Sequence, residues 1–350
     1  MRPRVRTIAK LLLLALLLSV LVAYGQDYRI RAKVDLVVVP VTVKGPGDRL
    51  VNGLTKDDFI VFEDGRPQTI TTFAIDPVPL SAAVVVQTGI QAGSLSKVQQ
   101  TFTALAGAFS EFDEVAMYRY DKFVVKVLDF SPDLNVVESA MKTLRNIAPQ
   151  SPSPAATAPG GPFSIVGPVI NGAPVVQPGQ AGTVTTAPRR NPQVLNDAIF
   201  TAASDLAKRE RSRRKIVLIV SDGQEIGSDH GFDETAQTLL ETGIQVYAIA
   251  LDQPVLFRTL STLGDYAAAT GGDAFFVSSI QKIESAYSTA TEEARNQYIL
   301  GYISNNEPGG AGPVFRDIEV RMARNGLETS TEKAITNTPD LSRQITPAKF

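Results

Sequence analysis

The 350-residue chain has no cysteine and a single histidine, His230. The first absence excludes a disulfide framework, a thiolate metal site and a cysteine nucleophile. The second excludes a multi-histidine metal cage. An excess of one charge is missing as well: 34 basic against 36 acidic side chains give a formal net charge of −2. Without a polycationic footprint, nucleic acid is not expected as a partner. What the chain does have is apolar content, 44% hydrophobic against 20% charged residues, enough to bury a core in one large domain or two modest ones.

Arg2, Arg4, Arg6 and Lys10 precede an apolar stretch from Leu11 to Ala23, followed by Ala23-Tyr24-Gly25. This is the three-part layout of a secretory signal peptide, with cleavage expected near Gly25/Gln26. Thirteen residues fall short of the roughly 20 that a spanning helix needs, so no stable membrane span is expected after cleavage. No cysteine follows the stretch, which excludes a lipid anchor there. The mature chain, at a net charge of −6, is expected in the periplasm or outside the cell.

Three rhythms follow. Val34 to Val43 is mostly β-branched and reads as a strand, with Pro40 suggesting an edge position or a bulge. Thr55 to Asp58 reads as a short capped turn, and Phe59 to Phe62 and Gln68 to Phe73 flank Asp64-Gly65 as a hairpin. From Pro79 to Glu293 apolar strands alternate with amphipathic helices, the first of them expected over Leu95–Phe112 and another over Gln193–Arg211. That alternation predicts an α/β fold, Rossmann-like, with a mostly parallel central sheet covered on both faces. Tyr298 to Ile303 and Asp317 to Met322 read as strands that pair with the N-terminal ones in a small β-sandwich, the α/β domain being inserted between its halves. The expected organisation is 1–25 signal peptide, 26–77 first part of the sandwich, 78–295 α/β domain, 296–323 its closing strands and 324–350 a tail. Within the α/β domain, residues 146 to 188 carry no charged side chain and 148–191 reads as a Pro/Gly-rich insertion. Its stretch Phe163 to Ile170 is apolar enough to add a strand to a sheet edge.

Ligands of an open α/β sheet sit beyond the carboxyl ends of the strands, where strand order reverses. Here Ala82 to Val86 leads into Gln87-Thr88-Gly89-Ile90-Gln91, and Ile216 to Val220 into Ser221-Asp222-Gly223. Together with Asp35-Leu36-Val37, Gly53-Leu54-Thr55-Lys56-Asp57-Asp58-Phe59, Glu63-Asp64-Gly65, Pro79-Leu80-Ser81, Leu195-Asn196-Asp197-Ala198 and Tyr298-Ile299-Leu300-Gly301-Tyr302, this layout resembles the von Willebrand factor type A domain family, most closely the secreted VWFA-related proteins described from acidobacteria. The matches fall in order over roughly residues 33 to 323, which is more specific than any one of them.

The resemblance implies a metal-ion-dependent adhesion site at the top of the sheet, built from Asp-x-Ser-x-Ser, a Thr before a helix and a later Asp. In this sequence Gln87 stands in place of the first Asp, Gly89 and Gln91 in place of the serines and Gln193 near the Thr, while Asp222 alone matches. One carboxylate among neutral amides offers little charge against the dehydration of Mg²⁺, so no metal and no other cofactor is expected, although Glu225 and Asp229 lie close enough in sequence to supply a weaker site. The expected partner-binding face is Gln87, Thr88, Gly89, Ile90, Gln91, Gln193, Asp222, Gly223 and Glu225, and the expected role is an exported, non-catalytic scaffold that binds protein partners in the envelope or extracellular space. Two other classes stay open: a secreted serine-type hydrolase using the Ser221, Asp222 and His230 region, and a self-assembling envelope component. The first lacks the Gly-x-Ser-x-Gly elbow. The basic run Lys208 to Lys215 reads as a solvated helix end rather than a polyanion patch.

Overall fold

The computed structural model describes residues 36–47, 49–75, 77–148, 169–170, 173–174, 192–252, 261–306, 314–324, 327–331 and 335–336. The expected signal peptide and its cleavage site, most of the 148–191 insertion and most of the tail lie outside these residues.

In chain order the strands of three or more residues are β1 (Leu36–Gly45), β2 (Phe59–Glu63), β3 (Arg66–Gln68), β4 (Ile70–Ala74), β5 (Leu80–Gln87), β6 (Glu114–Tyr120), β7 (Val124–Ser131), β8 (Arg214–Ser221), β9 (Ile244–Leu251), β10 (Ala274–Val277), β11 (Tyr298–Ile303), β12 (Ile318–Met322) and β13 (Glu328–Thr331). The helices are α1 (Ala92–Gln100), α2 (Phe102–Gly107), α3 (Leu134–Arg145), α4 (Leu195–Leu206), α5 (Phe232–Thr242), α6 (Thr262–Thr270) and α7 (Ile280–Arg295).

The central sheet has the order β10-β9-β8-β5-β6-β7, parallel except for β7. Every residue of β5 is buried, as a strand covered on both faces requires. Its side chains alternate between two cores. Leu80, Ala82, Val84 and Val86 pack with α1, α2, α3 and α7 residues, while Ala83 and Val85 pack with α4, α5 and α6 residues. Each fully buried valine contributes about 1.5–3 kcal/mol.

Strands from the two ends of the described chain pair antiparallel. One sheet runs β13-β1-β11-β4 and the other β12-β2-β3, and they share a core of Val39, Val41, Val61, Tyr298, Leu300 and neighbours. Asp64 and Gly65 have φ of 50° and 73°, the left-handed pair that a two-residue hairpin loop demands. Pro40 faces Ile299 of β11, and pairing to β13 starts only at Val41. β1 is therefore an interior strand whose proline, lacking an N–H, sits just where its second neighbour ends.

Two helix expectations need correction. The helix expected over Leu95–Phe112 is split at Thr101, which is buried with φ −93° and ψ 1°. Its hydroxyl donates to Val98 O at 2.8 Å and meets Tyr287 Oη at 3.0 Å, competing with the helical ladder. The helix expected from Gln193 starts at Leu195, because Gln193 is held in a two-way backbone bridge with Ile226. It ends at Leu206 rather than Arg211.

Candidate functional site: an amide pair at the strand-order switch

Numbered within the central sheet, the strand order is 3-2-1-4-5-6, and it reverses between β5 and β8. Gln87 ends β5 and Ser221 ends β8, so the two stand side by side at that reversal. Both are fully buried. Gln87 Oε1 accepts from Ser221 Oγ and from Asp222 N, each at 2.8 Å. Gln87 Nε2 donates to Gln193 Oε1 at 3.0 Å, and Gln193 Nε2 donates to Gly89 O at 3.0 Å. Ser221 Oγ also accepts Gly223 N–H at 2.8 Å and shares a 2.7 Å bond with Tyr120 Oη. Burial pushes the Tyr120 hydroxyl well above its ordinary pKa, so it stays neutral. The product is an uncharged chain of bonds from Tyr120 through Ser221, Gln87 and Gln193 to Gly89.

The backbone draws the same loops together. Thr88 N donates to Tyr120 O at 2.8 Å, Val194 N to Asp121 O at 2.9 Å and Gln193 N to Ile226 O at 2.9 Å. A Cβ on Gly89 would meet the side-chain amide of Gln193, which would have to move to admit it.

The resemblance implies Mg²⁺ at this end of the sheet. That ion asks for a near-octahedral shell of hard oxygens. Here both hydrogen bonds accepted by Gln87 Oε1 come from protein donors, Gln193 fills the space beside Gly89, and Gly89 and Gln91 bring no hydroxyl. Asp222 turns its carboxylate to Gln224, accepting from its backbone N at 3.0 Å and its Nε2 at 2.8 Å. Among the described residues no group of three or more His, Cys, Asp or Glu side chains is placed to hold a metal.

Around the amide pair lies an acidic layer that ties the loop after β8 to α4. Glu225 accepts Asn196 N at 2.8 Å, a carboxylate at a helix N-terminus, together with Ser228 N at 3.0 Å and Ser228 Oγ at 2.8 Å. Asp197 accepts Asp229 N at 3.0 Å, His230 N at 2.9 Å and His230 Nδ1 at 2.7 Å. Burial raises the Asp197 pKa, but the backbone N–H and ring of His230 and the Asp229 N–H outweigh it and hold the carboxyl below its ordinary value. The His230 ring stacks on Phe200 with centroids 3.8 Å apart.

Ser221, Asp222 and His230 are not assembled as a triad. Ser221 Oγ is buried among Tyr120, Gln87 and Gly223, and His230 Nδ1 is committed to Asp197. The expected partner-facing set also divides. Gln87, Thr88, Ile90 and Gln193 are at most 5% exposed and support the surface from beneath, because their side chains complete the bond network or the core. Gln91 and Gln224 are exposed and Gly89, Asp222, Gly223 and Glu225 partly so. Sequence reasoning missed Tyr120, which closes the network, and Phe123, a ring 65% exposed on the loop after β6 at the same end of the sheet. An aromatic next to Asp121-Lys122 between two strands was the available signal.

Strand order and ordered motifs agree. The α/β part has the doubly wound, mostly parallel sheet that the sequence resemblance implies. No protein-family model matches the chain, and no curated protein does. Solved structures similar to it include proximal thread matrix protein 1 from the mussel byssus with a zinc-occupied MIDAS motif, 12% identical with a TM-score of 0.42 over 66% of this chain and 49% of that one. The SpRpn10 VWA domain is 11% identical with a TM-score of 0.37, covering 60% and 94%. Manganese-loaded Plasmodium vivax TRAP is 10% identical with a TM-score of 0.42, covering 79% and 99%. The chain spans about half the length of the byssus protein. Among the described residues, no helix is long and apolar enough to cross a membrane.

Proposed function

We propose that this chain is an exported, non-catalytic interaction scaffold whose type A-like part, residues 78–295, is carried between β strands of 26–77 and 296–323. It binds a protein partner at the carboxyl end of the central sheet without a bridging metal. The observation that carries this reading is the bond between Gln87 and Gln193, which joins the end of β5 to the segment before α4 at the strand-order reversal, where a metal-dependent site would need open oxygen ligands. Two neutral amides tie these loops with no counter-charge to desolvate, so the face is held ready in the absence of ions. Partner contacts then fall on what the pair supports: Gln91, Phe123, Gln224 and the partly exposed carboxylates of Asp222 and Glu225.

The test is capture of partners from the envelope fraction by the mature protein in EDTA, compared with a Gln91→Glu, Phe123→Ala, Gln224→Ala variant. The expected result is capture that survives EDTA and is lost in the variant. Capture that requires Mg²⁺ or Mn²⁺, or that the variant retains, contradicts the reading.

A further inference from the structure

A cavity of about 680 Å³ opens where β1 and β13 meet the β10 edge of the central sheet, a size that suits a small-molecule site. Lys44 and Thr329 line it from those two strands, Phe275 and Asp273 from β10 and the residue before it, and α7 forms the remaining wall. On α7, Lys282, Ser285, Thr289 and Glu293 recur at helical spacing and share one face. The neighbouring face, with Ile283, Tyr287, Ala290 and Ala294, packs in the core. The polar stripe is therefore turned to the cavity. The amide pair lies elsewhere, since β9 and β8 stand between β10 and β5.

The deep wall is charged and internally matched. Lys44 Nζ bonds to Asp273 Oδ2 and lies 2.6 Å from Glu293 Oε1. Burial lowers the Lys44 pKa, but the two carboxylates outweigh it and hold it above its ordinary value, so the ammonium stays charged. Across the lining two cations, Lys44 and Lys282, stand with two carboxylates, Asp273 and Glu293, and their formal charges sum to zero. An anion entering here meets the carboxylates, and a cation meets the ammonium groups. A neutral ligand meets neither penalty.

What remains for a ligand is hydrogen bonding. Lys282 Nζ and Ser285 Oγ have no hydrogen-bond partner among the described residues. The Asp273 side chain is 35% exposed and keeps lone pairs beyond those that Lys44 Nζ and Ala274 N use. The ammonium donates, the hydroxyl does both and the carboxylate accepts. Beside them the half-buried Phe275 adds an apolar ring face. Donors, acceptors and an aromatic face around a space of no net charge match a ring that bears several hydroxyl groups.

We propose that this cavity binds a neutral saccharide. Asp273 accepts from its hydroxyl groups, Lys282 and Ser285 bond to it from α7, and a sugar ring lies against Phe275.

Calorimetric titration of the mature protein with cellotriose, maltotriose and tri-N-acetylchitotriose tests this, beside the variants Ser285→Trp, which puts a bulky ring in the opening, and Lys282→Met. Both positions are exposed and neither side chain bonds within the fold, so the melting temperatures are expected to match wild type. The expected result is that at least one saccharide binds in the millimolar range or tighter and that its affinity falls ~10-fold or more in each variant. No binding of any of the three overturns the proposal, and so does binding that both variants retain. Tighter binding of inorganic phosphate than of every saccharide also overturns it, because the cavity then selects anions.

Discussion

At the amino end of the central sheet, Asp113 is fully buried and accepts Leu80 N at 2.8 Å, Ser110 N at 2.8 Å and an Arg295 guanidinium nitrogen at 2.6 Å. Beside it Glu114 takes two bonds from Arg209, at 2.8 and 2.5 Å, and one from Ser81 at 2.6 Å. At the carboxyl end of the same strands a buried network runs through Gln87, Gln193, Ser221 and Tyr120, none of them charged, and the buried carboxylate of Asp121 accepts Phe123 N at 3.1 Å. The amino end is fixed by ion pairs whose members cannot lose their partners. The carboxyl end is centred on neutral groups, with the carboxylates of Glu225, Asp197 and Asp121 bonding backbone N–H groups around them. The difference also explains the basic run. Arg209 belongs to Glu114, Arg213 donates to the carbonyls of Leu80 and Phe112, Arg214 to Gln297, and Lys208 pairs with Asp205. Most of the cations that a polyanion patch would need serve the fold instead.

The sharpest way to break the charged end is Asp113→Ala, which strands Arg295 together with Leu80 N, Ser110 N and Ser110 Oγ. Stability measured by urea unfolding is expected to fall by about 3–5 kcal/mol, the cost of opening a buried pair. Partner capture by the remaining folded protein is expected to persist, because the damage lies at the far end of the sheet. At the neutral end, Gln87→Leu leaves Asp222 N–H and Gln193 Oε1 without that amide and is expected to cost about 2–4 kcal/mol in the same experiment. Gly89→Ala forces a methyl into Gln193 and is expected to cost about 1–3 kcal/mol. Adding Gln193→Ala should recover part of that loss, so the double-mutant cycle shows coupling between the two positions. Additive losses would remove the claim that the methyl meets Gln193.

The smallest effect is a pH dependence. Burial raises the Asp205 pKa, but bonds from Lys126, Lys208 and Tyr118 outweigh it and bring it to about 2. A carboxyl depressed on folding contributes stability that is complete above its unfolded pKa near 4 and is lost as pH falls through the folded value near 2. Asp205→Asn is therefore expected to flatten the acid limb of the stability curve between about pH 4 and pH 2. An unchanged limb would show that Asp205 is not a source of it.

Much of the fold is written locally. Ala82 to Val86 is a continuous apolar run because β5 is covered on both faces, and Asp64-Gly65 tolerates the positive φ that its hairpin adopts. The split at Thr101 was not legible, because it depends on a bond to Tyr287, 186 residues away. The site shows the same limit. That Gln87, Gly89 and Gln193 replace the family's ligands can be read from the resemblance. That Gln87 bonds Gln193, 106 positions on, and that Gly89 makes room for it, needs the sheet to bring them together. His230 shows how nearness in sequence misleads. It stands nine residues after Ser221, yet its ring bonds to Asp197, 33 residues earlier.

The central claim is that the crevice between β5 and β8 is tied by amides and not by an ion. It is tested most directly by the melting temperature of the mature protein across a Mg²⁺ and Mn²⁺ titration into the millimolar range, since any ligand of the folded state must raise it. The account predicts no change with either ion. A rise of several degrees that disappears in Asp222→Asn would contradict it.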